Sequence, residues 1–169
     1  LLRDVFAADI TVAAQTVADM ERYLSIGAAP DRTLVAGNVK FDLEVPAEVR
    51  TAGQSLREQI GLARPVWIAG STRDGEEAML LDAHDRVLLS CPAALLILVP
   101  RHPQRFAEVA ALLARRGVRY ATRSSHGPVT SATTVLLVDT LGELLAFYAS
   151  ADIAFVGGTL VPVGGHNLL

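Results

Sequence analysis

A chain of 169 residues can hold one domain with a sizeable core, or parts of two. Its 51% hydrophobic and 20% charged residues describe a soluble globular protein, and a formal net charge of −3 offers no basic field for nucleic acid. The single cysteine, Cys91, precludes an internal disulfide and reads as a small buried hydrophobe in a reducing compartment, and no apolar run reaches the roughly 18 residues that a membrane span needs.

The apolar residues are mostly Ala, Val, Leu and Ile, as buried parallel strands covered by helices require. Ile10-Thr11-Val12-Ala13-Ala14 predicts a first short strand, and Thr16 with Asp19 three residues on predicts a helix N-cap. Met20, Tyr23, Leu24 and Ile26 predict that helix's buried face, and Thr33-Leu34-Val35-Ala36 a second strand. Residues 1–43 are expected to be the end of one α/β domain with its link, and residues 44–169 most of another. The chain begins Leu1-Leu2-Arg3 without Met and stops at Asn167-Leu168-Leu169, where a helix should be starting, so a segment truncated at both ends is expected, with apolar surface left open.

From Pro46 the pattern restarts. Val49, Leu56 and Ile60 line a helix closed by Gly61, and Val66-Trp67-Ile68-Ala69 predicts a strand running into Gly70-Ser71-Thr72. Asp74-Gly75-Glu76-Glu77 opens a helix whose inward residues are expected to be Met79, Leu80, Ala83, Val87 and Leu88. Leu95 to Val99 predicts the next strand, ending in Pro100-Arg101-His102-Pro103. A helix with Phe106, Val109, Ala110, Leu112 and Leu113 inward follows, then a weaker outer strand at Val118 to Ala121 and a loop from Arg123 to Thr133. Val135 to Val138 predicts a strand ending at Asp139-Thr140, Gly142-Glu143 a helix start, and Ala154-Phe155-Val156 a last strand ending at Gly157-Gly158. Apolar strands separated by helices mean a doubly wound parallel sheet. The Trp67 strand is expected between the Leu98 and Leu137 strands, with Trp67, Ala154 and Phe155 among the sheet's buried residues.

Polar and glycine residues gather where the strands stop, which is where ligands bind in such sheets. Arg101 has the most chemical content, because a guanidinium fork pairs with two phosphate oxygens at once. Ser71, Thr72 and Thr140 are further candidates, and the helix starts near Gly142-Glu143 and past Gly164-Gly165 suit anions. Neither His102 nor His166 has a partner at zinc spacing, and the glycine pairs do not form a dinucleotide fingerprint, so no metal or nicotinamide cofactor is expected. Asp42, Asp74, Glu76 and Glu77 read as loop and helix-start acids.

Five co-linear motifs then carry a resemblance. Gly37-Asn38-Val39-Lys40-Phe41-Asp42, Gly70-Ser71-Thr72-Arg73-Asp74-Gly75-Glu76-Glu77, Val99-Pro100-Arg101-His102-Pro103-Gln104-Arg105-Phe106, Asp139-Thr140-Leu141-Gly142-Glu143-Leu144, and Ala154 to Leu160 with Gly164-Gly165-His166-Asn167 resemble, in order and spacing, the 3-deoxy-D-manno-octulosonic acid (Kdo) transferases. The resemblance implies a GT-B glycosyltransferase of two Rossmann-like domains. It would move Kdo from CMP-Kdo to the lipid A precursor lipid IVA in lipopolysaccharide synthesis, with inversion, without a metal or other cofactor, at the cytoplasmic face of the Gram-negative inner membrane. It places CMP on Pro100, Arg101, Leu141, Gly142, Glu143, Asn167, Leu168 and Leu169. It assigns no catalytic residue to this chain, since the proposed base is a Glu of the N-terminal domain, whose other surfaces meet acceptor and membrane. Glu143, a carboxylate beside a phosphate, is expected to accept hydrogen bonds from ribose or base. The alternatives are a GT-B enzyme that uses a UDP-sugar and a nucleotide-binding module without chemistry.

Overall fold

The computed structural model describes residues 5–6, 10–38 and 45–162. The chain divides between residues 44 and 45 into two compact units.

In the first unit, strand β1 (Val12–Ala14) pairs in parallel with β2 (Thr33–Val35) across helix α1 (Val17–Ser25). Thr16 is the N-cap: its hydroxyl oxygen accepts from the Asp19 N–H at 3.1 Å, which satisfies one of the donors that a helix start leaves open. The expected buried stripe does not form. No residue of α1 is buried, and Tyr23 and Ile26 are 37% and 36% exposed. Among the described residues of this unit, two short strands and the Phe6 ring, 5.9 Å from that of Tyr23, meet the helix, too narrow a surface to bury it.

The second unit is a five-stranded, wholly parallel sheet with helices on both faces. Its elements are α2 (Ala47–Ile60), β3 (Val66–Thr72), α3 (Glu76–Ser90), β4 (Leu95–Pro100), α4 (Phe106–Arg115), β5 (Tyr120–Thr122), β6 (Val135–Leu137), α5 (Leu144–Ser150) and β7 (Ile153–Val156). Leu56 and Ile60 of α2 and Phe147 of α5 pack on Ile68, Ile97 and Leu136, while Leu80, Leu81, Val109 and Leu113 of α3 and α4 cover Ala69, Leu98 and Leu137. Burying a side chain of this size stabilises by about 1.5–3 kcal/mol, so these two layers hold the unit.

The strand order is β5-β6-β4-β3-β7, which corrects the expected central position of the Trp67 strand. β4 lies between the Leu137 strand and the Trp67 strand, and all six of its residues are buried. That continuous apolar run suits a strand covered on both faces and paired on both edges. β3 sits one place out, with β7 on its far side. The chain leaves β3 towards β4 and returns on the other flank as β7, so the topological switch lies between β3 and β7.

As the edge strand of the described sheet, β7 leaves Ala154 exposed, Phe155 half-buried and Ile153 69% exposed, and Trp67 beside it is half-buried, against the expectation for Trp67, Ala154 and Phe155. The same edge corrects the inward face of α3. Leu80 is buried, but Met79 and Val87 are 46% and 38% exposed, Ala83 is exposed and Leu88 is half-buried. Ala83, Val87 and half-buried Cys91 line a cavity of about 390 Å³ beside Trp67 and Ile153, instead of meeting a neighbouring element. The buried side of α3 is Glu76, Glu77, Leu80, Leu81 and His84.

The loop after β7 closes tightly on β3. Gly157 donates its N–H to the Gly70 carbonyl at 2.8 Å, and a Cβ at Gly157 would stand 2.5 Å from the Ser71 carbonyl oxygen and 2.6 Å from Thr72 Cα. Both neighbours are backbone and cannot swing aside. Gly157→Ala is therefore expected to destabilise by about 1–3 kcal/mol, measurable as a lowered urea midpoint with an unchanged slope.

Candidate functional site

The carboxyl edge of the sheet begins with an irregularity in β3. Pairing with β4 slips between Gly70 and Thr72, and Ser71 takes a positive φ of 56°, a left-handed conformation that a side chain disfavours. Thr72 is fully buried and donates its hydroxyl to Glu77 Oε1 at 2.8 Å. Its carbonyl accepts from the Arg101 N–H at 3.0 Å, which ties the exits of β3 and β4 together.

Glu76 and Glu77, expected as ordinary helix-start acids, do open α3 but are 0% and 1% exposed. Glu76 is wrapped in backbone donors. Oε1 accepts from Gly158 at 2.8 Å, Thr159 at 3.0 Å and Leu160 at 3.0 Å, while Oε2 accepts from Gly158 at 2.8 Å and Arg73 at 2.7 Å. Burial alone would push its pKa up, but the N–H groups of Gly158, Arg73, Leu160 and Thr159 outweigh it and hold the carboxyl below its usual 4.5. This run of N–H groups, of the kind that suits a phosphate, already holds the protein's own carboxylate. Glu77 is matched by Arg105 at 2.6 Å, and Arg105 reaches Asp74 at 3.1 Å and Glu108 at 3.3 Å.

At the end of β4, Pro100 is buried and Arg101 is exposed, its guanidinium without an ion pair among the described residues. His102 Nε2 accepts from Arg73 Nη1 at 2.9 Å.

The exit of β6 is more tightly built than the sequence suggests. Asp139 accepts from the Ser124 N–H at 2.8 Å and hydroxyl at 2.5 Å. Thr140 donates to Glu143 Oε2 at 2.5 Å, and Arg123 reaches Glu143 Oε1 at 2.7 Å. Glu143 has its carboxyl held low, first by the Arg123 hydrogen bonds, against the opposing effect of burial. The helix expected from Gly142-Glu143 starts at Leu144 and is seven residues long, a small dipole for an anion. Gly142 has a φ of +83° with open space around it, and Leu141 is 72% exposed.

Pro100, Arg101, Ser71, Thr72, Thr140 and Leu141 to Glu143 therefore all stand at strand ends on one edge, on the neighbouring strands β3, β4 and β6. Asn167, Leu168 and Leu169, with Gly164, Gly165 and His166, lie outside the described residues, as does Asp42. Sequence reasoning missed Arg123, whose partner is twenty positions away, and His84, although it continues the Leu80-Leu81 stripe at helical spacing. Among the described residues, no group of three or more His, Cys, Asp or Glu side chains could hold a metal ion.

His84 is structural. Trp67 Nε1 donates to Nδ1 at 3.1 Å and Nε2 stands 2.8 Å from the Thr134 carbonyl, partners that assign the proton to Nε2 and leave the ring neutral. Burial pushes its pKa below the usual 6.5. The unfolded chain takes up a proton near that value while the folded one does not, so stability falls as pH drops below 6.5 towards the depressed value and is unaffected above it. Urea melts at acid and neutral pH check this, and His84→Gln, which can still bridge Trp67 and Thr134, should flatten the difference.

No family model matches the sequence. The chain is 42% identical over 158 residues to the 3-deoxy-D-manno-octulosonic acid transferase of Haemophilus influenzae, covering 94% of this chain and 37% of that protein. It is 41% identical over 172 residues to the transferase of the same name from Bordetella pertussis, covering 99% of this chain and 39% of that protein. Among solved structures, the C-terminal CMP-Kdo binding domain of WaaA from Acinetobacter baumannii matches with a TM-score of 0.69 and 36% identity, over 73% of this chain and 65% of that one. The chain thus spans under two-fifths of the length of these curated relatives.

Proposed function

We propose that this chain, which belongs to the 3-deoxy-D-manno-octulosonic acid transferase family, is the donor-binding part of a glycosyltransferase that moves Kdo from CMP-Kdo to the lipid A precursor lipid IVA. The supporting observation is the Arg101 guanidinium, exposed and without an ion pair among the described residues, at the end of the central strand. One strand away is the open Leu141–Glu143 turn. In this reading a carboxylate base of the N-terminal domain takes the acceptor hydroxyl's proton as that oxygen attacks the anomeric carbon from the face opposite the phosphate, the carbon–oxygen bond to phosphate breaks, and CMP departs with the bond's electrons. Charge that develops on the departing phosphate meets the Arg101 guanidinium, which thereby stabilises the transition state more than the ground state.

In the same reading the anomeric configuration inverts, no metal takes part, and the whole enzyme works at the cytoplasmic face of the bacterial inner membrane through surfaces outside this sequence. Pro100, Leu141, Gly142, Glu143, Asn167, Leu168 and Leu169 complete the CMP site, with Ser71, Thr72 and Thr140 nearby.

Calorimetric titration of the chain with CMP tests the proposal. Arg101→Ala is expected to weaken binding by about 1.5–3 kcal/mol, the worth of a charged hydrogen-bonded contact. Unchanged affinity would remove Arg101 from the site. Tighter binding of UMP than CMP would favour an enzyme that uses a UDP-sugar, and CMP binding without transfer in the intact protein would favour a module without chemistry.

A further inference from the structure

Two loops meet at the carboxyl edge beyond β5 and β6, and a continuous set of hydrogen bonds stitches them together. The Arg123 N–H donates to the Leu137 carbonyl at 2.9 Å, which extends the ladder by one bond past β5. Ser124 then takes both oxygens of Asp139, at 2.8 and 2.5 Å. The Arg123 side chain returns across the gap: Nε is 3.2 Å from each Glu143 oxygen, and Nη2 is 2.7 Å from Oε1. With the Thr140 hydroxyl on Oε2, both carboxylate oxygens of Glu143 are engaged. A carboxylate has about four lone-pair directions, so little capacity remains for a ribose hydroxyl or a base.

The guanidinium is itself fixed. Its central carbon stands 5.8 Å from the ring centre of Phe147 of α5, which is fully buried in the core. On either side of Arg123 lies a cavity, one of about 410 Å³ reaching Leu136 and Phe147, the other of about 400 Å³ reaching Gly142 and Glu143. The turn it holds has few contacts of its own, since Gly142 has open space around it and Leu141 is 72% exposed. What gives the turn a shape is therefore Asp139 on one side and the Glu143 carboxylate on the other.

We infer that Arg123 is a positioning residue of the nucleotide site: it clamps the Glu143 carboxylate and thereby fixes the Leu141-Gly142-Glu143 turn, so that Glu143 serves through the clamp and the turn's backbone is what a nucleotide meets. This rests on the donor-site reading above. It differs from the expectation that Glu143 itself accepts from ribose or base, because Arg123 and Thr140 already engage both oxygens of that carboxylate.

A double-mutant cycle tests the coupling that the clamp requires. CMP affinity is measured by calorimetry for the full chain, for Arg123→Ala, for the isosteric Glu143→Gln and for the double variant, with thermal melts in the absence of CMP. Each single variant is expected to weaken CMP about tenfold, and the double variant no more than the weaker single, a coupling of about tenfold. Arg123→Lys, which keeps the charge without the fork, should recover part of the loss. An additive loss of about a hundredfold in the double variant overturns the inference, as does unchanged affinity in Glu143→Gln. Affinity that falls only in step with the melting temperature overturns it too, by assigning the pair to the fold alone. Should Arg123→Ala fail to fold, Arg123→Lys and Glu143→Gln complete the cycle. No CMP binding by the unsubstituted chain overturns the donor reading and takes this role with it, whereas binding with additive losses overturns this role alone.

Discussion

Glu76→Ala is expected to lower the stability of the larger unit by about 3–5 kcal/mol, a loss that comes close to unfolding a domain of ordinary stability. The deletion leaves the N–H groups of Arg73, Gly158, Thr159 and Leu160 without their acceptor. Gly158 is buried, Arg73 is half-buried, and the bonds from exposed Thr159 and Leu160 are part-buried, so water replaces the carboxylate only in part. Nor can the loop move off to find water, since Gly157 is pressed against the backbone of Ser71 and Thr72. Glu76→Gln is expected to lose less, because one amide oxygen still serves the donors that meet Oε1, while the amide nitrogen opposes the Arg73 N–H. Thermal melts should rank wild type above Gln above Ala, with the Ala variant lower by on the order of 10 °C. The acid limb follows from the same carboxyl. Its folded pKa lies below 4.5, so its contribution is present above that value and lost as pH falls through the depressed one. An Ala variant that melts with the wild type would mean that the loop is held by something other than Glu76.

Much of this fold was legible from runs of residues. Leu95 to Val99 is continuously apolar and forms the strand buried on both faces, and Thr16 with Asp19 marks the start of α1 where the cap geometry places it. The lateral order of strands was not legible, because a helical connection reaches a neighbouring position or the far side of a sheet with similar lengths of chain. That is how β4 came to hold the place expected for the Trp67 strand. The exposed faces of α3 and β7 were misjudged for a related reason: apolar periodicity names a face, while burial depends on whether another element covers it.

The site was legible as a set of strand ends but not as a network. Glu76 and Glu77 follow a glycine at a helix start and look solvated, and what neutralises them comes from residue 72, residue 105 and the loop 82 to 84 positions further on. Long-range partners of this kind leave no local pattern. Arg123 was likewise read as the first residue of a polar loop, although its side chain carries the ion pair that defines the neighbouring turn.

Purified as it stands, this chain is expected to show no transfer of Kdo from CMP-Kdo to a lipid A precursor. Inverting transfer needs a base within hydrogen-bond reach of the acceptor hydroxyl, and a positioned base contributes about 10²–10⁴-fold. The acids at the carboxyl edge are committed elsewhere. Asp74 and Glu77 pair with Arg105, Asp139 holds Ser124, Glu143 holds Arg123, and Glu76 is enclosed by backbone N–H groups. For Glu76 and Glu143 those donors hold the carboxyl below its ordinary range and so lower its basicity. His102 is no better placed, since its Nε2 already accepts from Arg73. In the proposed reading the edge supplies the leaving-group side of the reaction, where Arg101 is exposed. The family resemblance assigns the base to a Glu outside these 169 residues. The chain should therefore bind CMP weakly and turn nothing over, and adding CMP-Kdo with the acceptor in a radiolabel transfer assay should give background counts. Robust turnover would place the base among the acids named here, and Glu143→Gln and Asp139→Asn would then identify which.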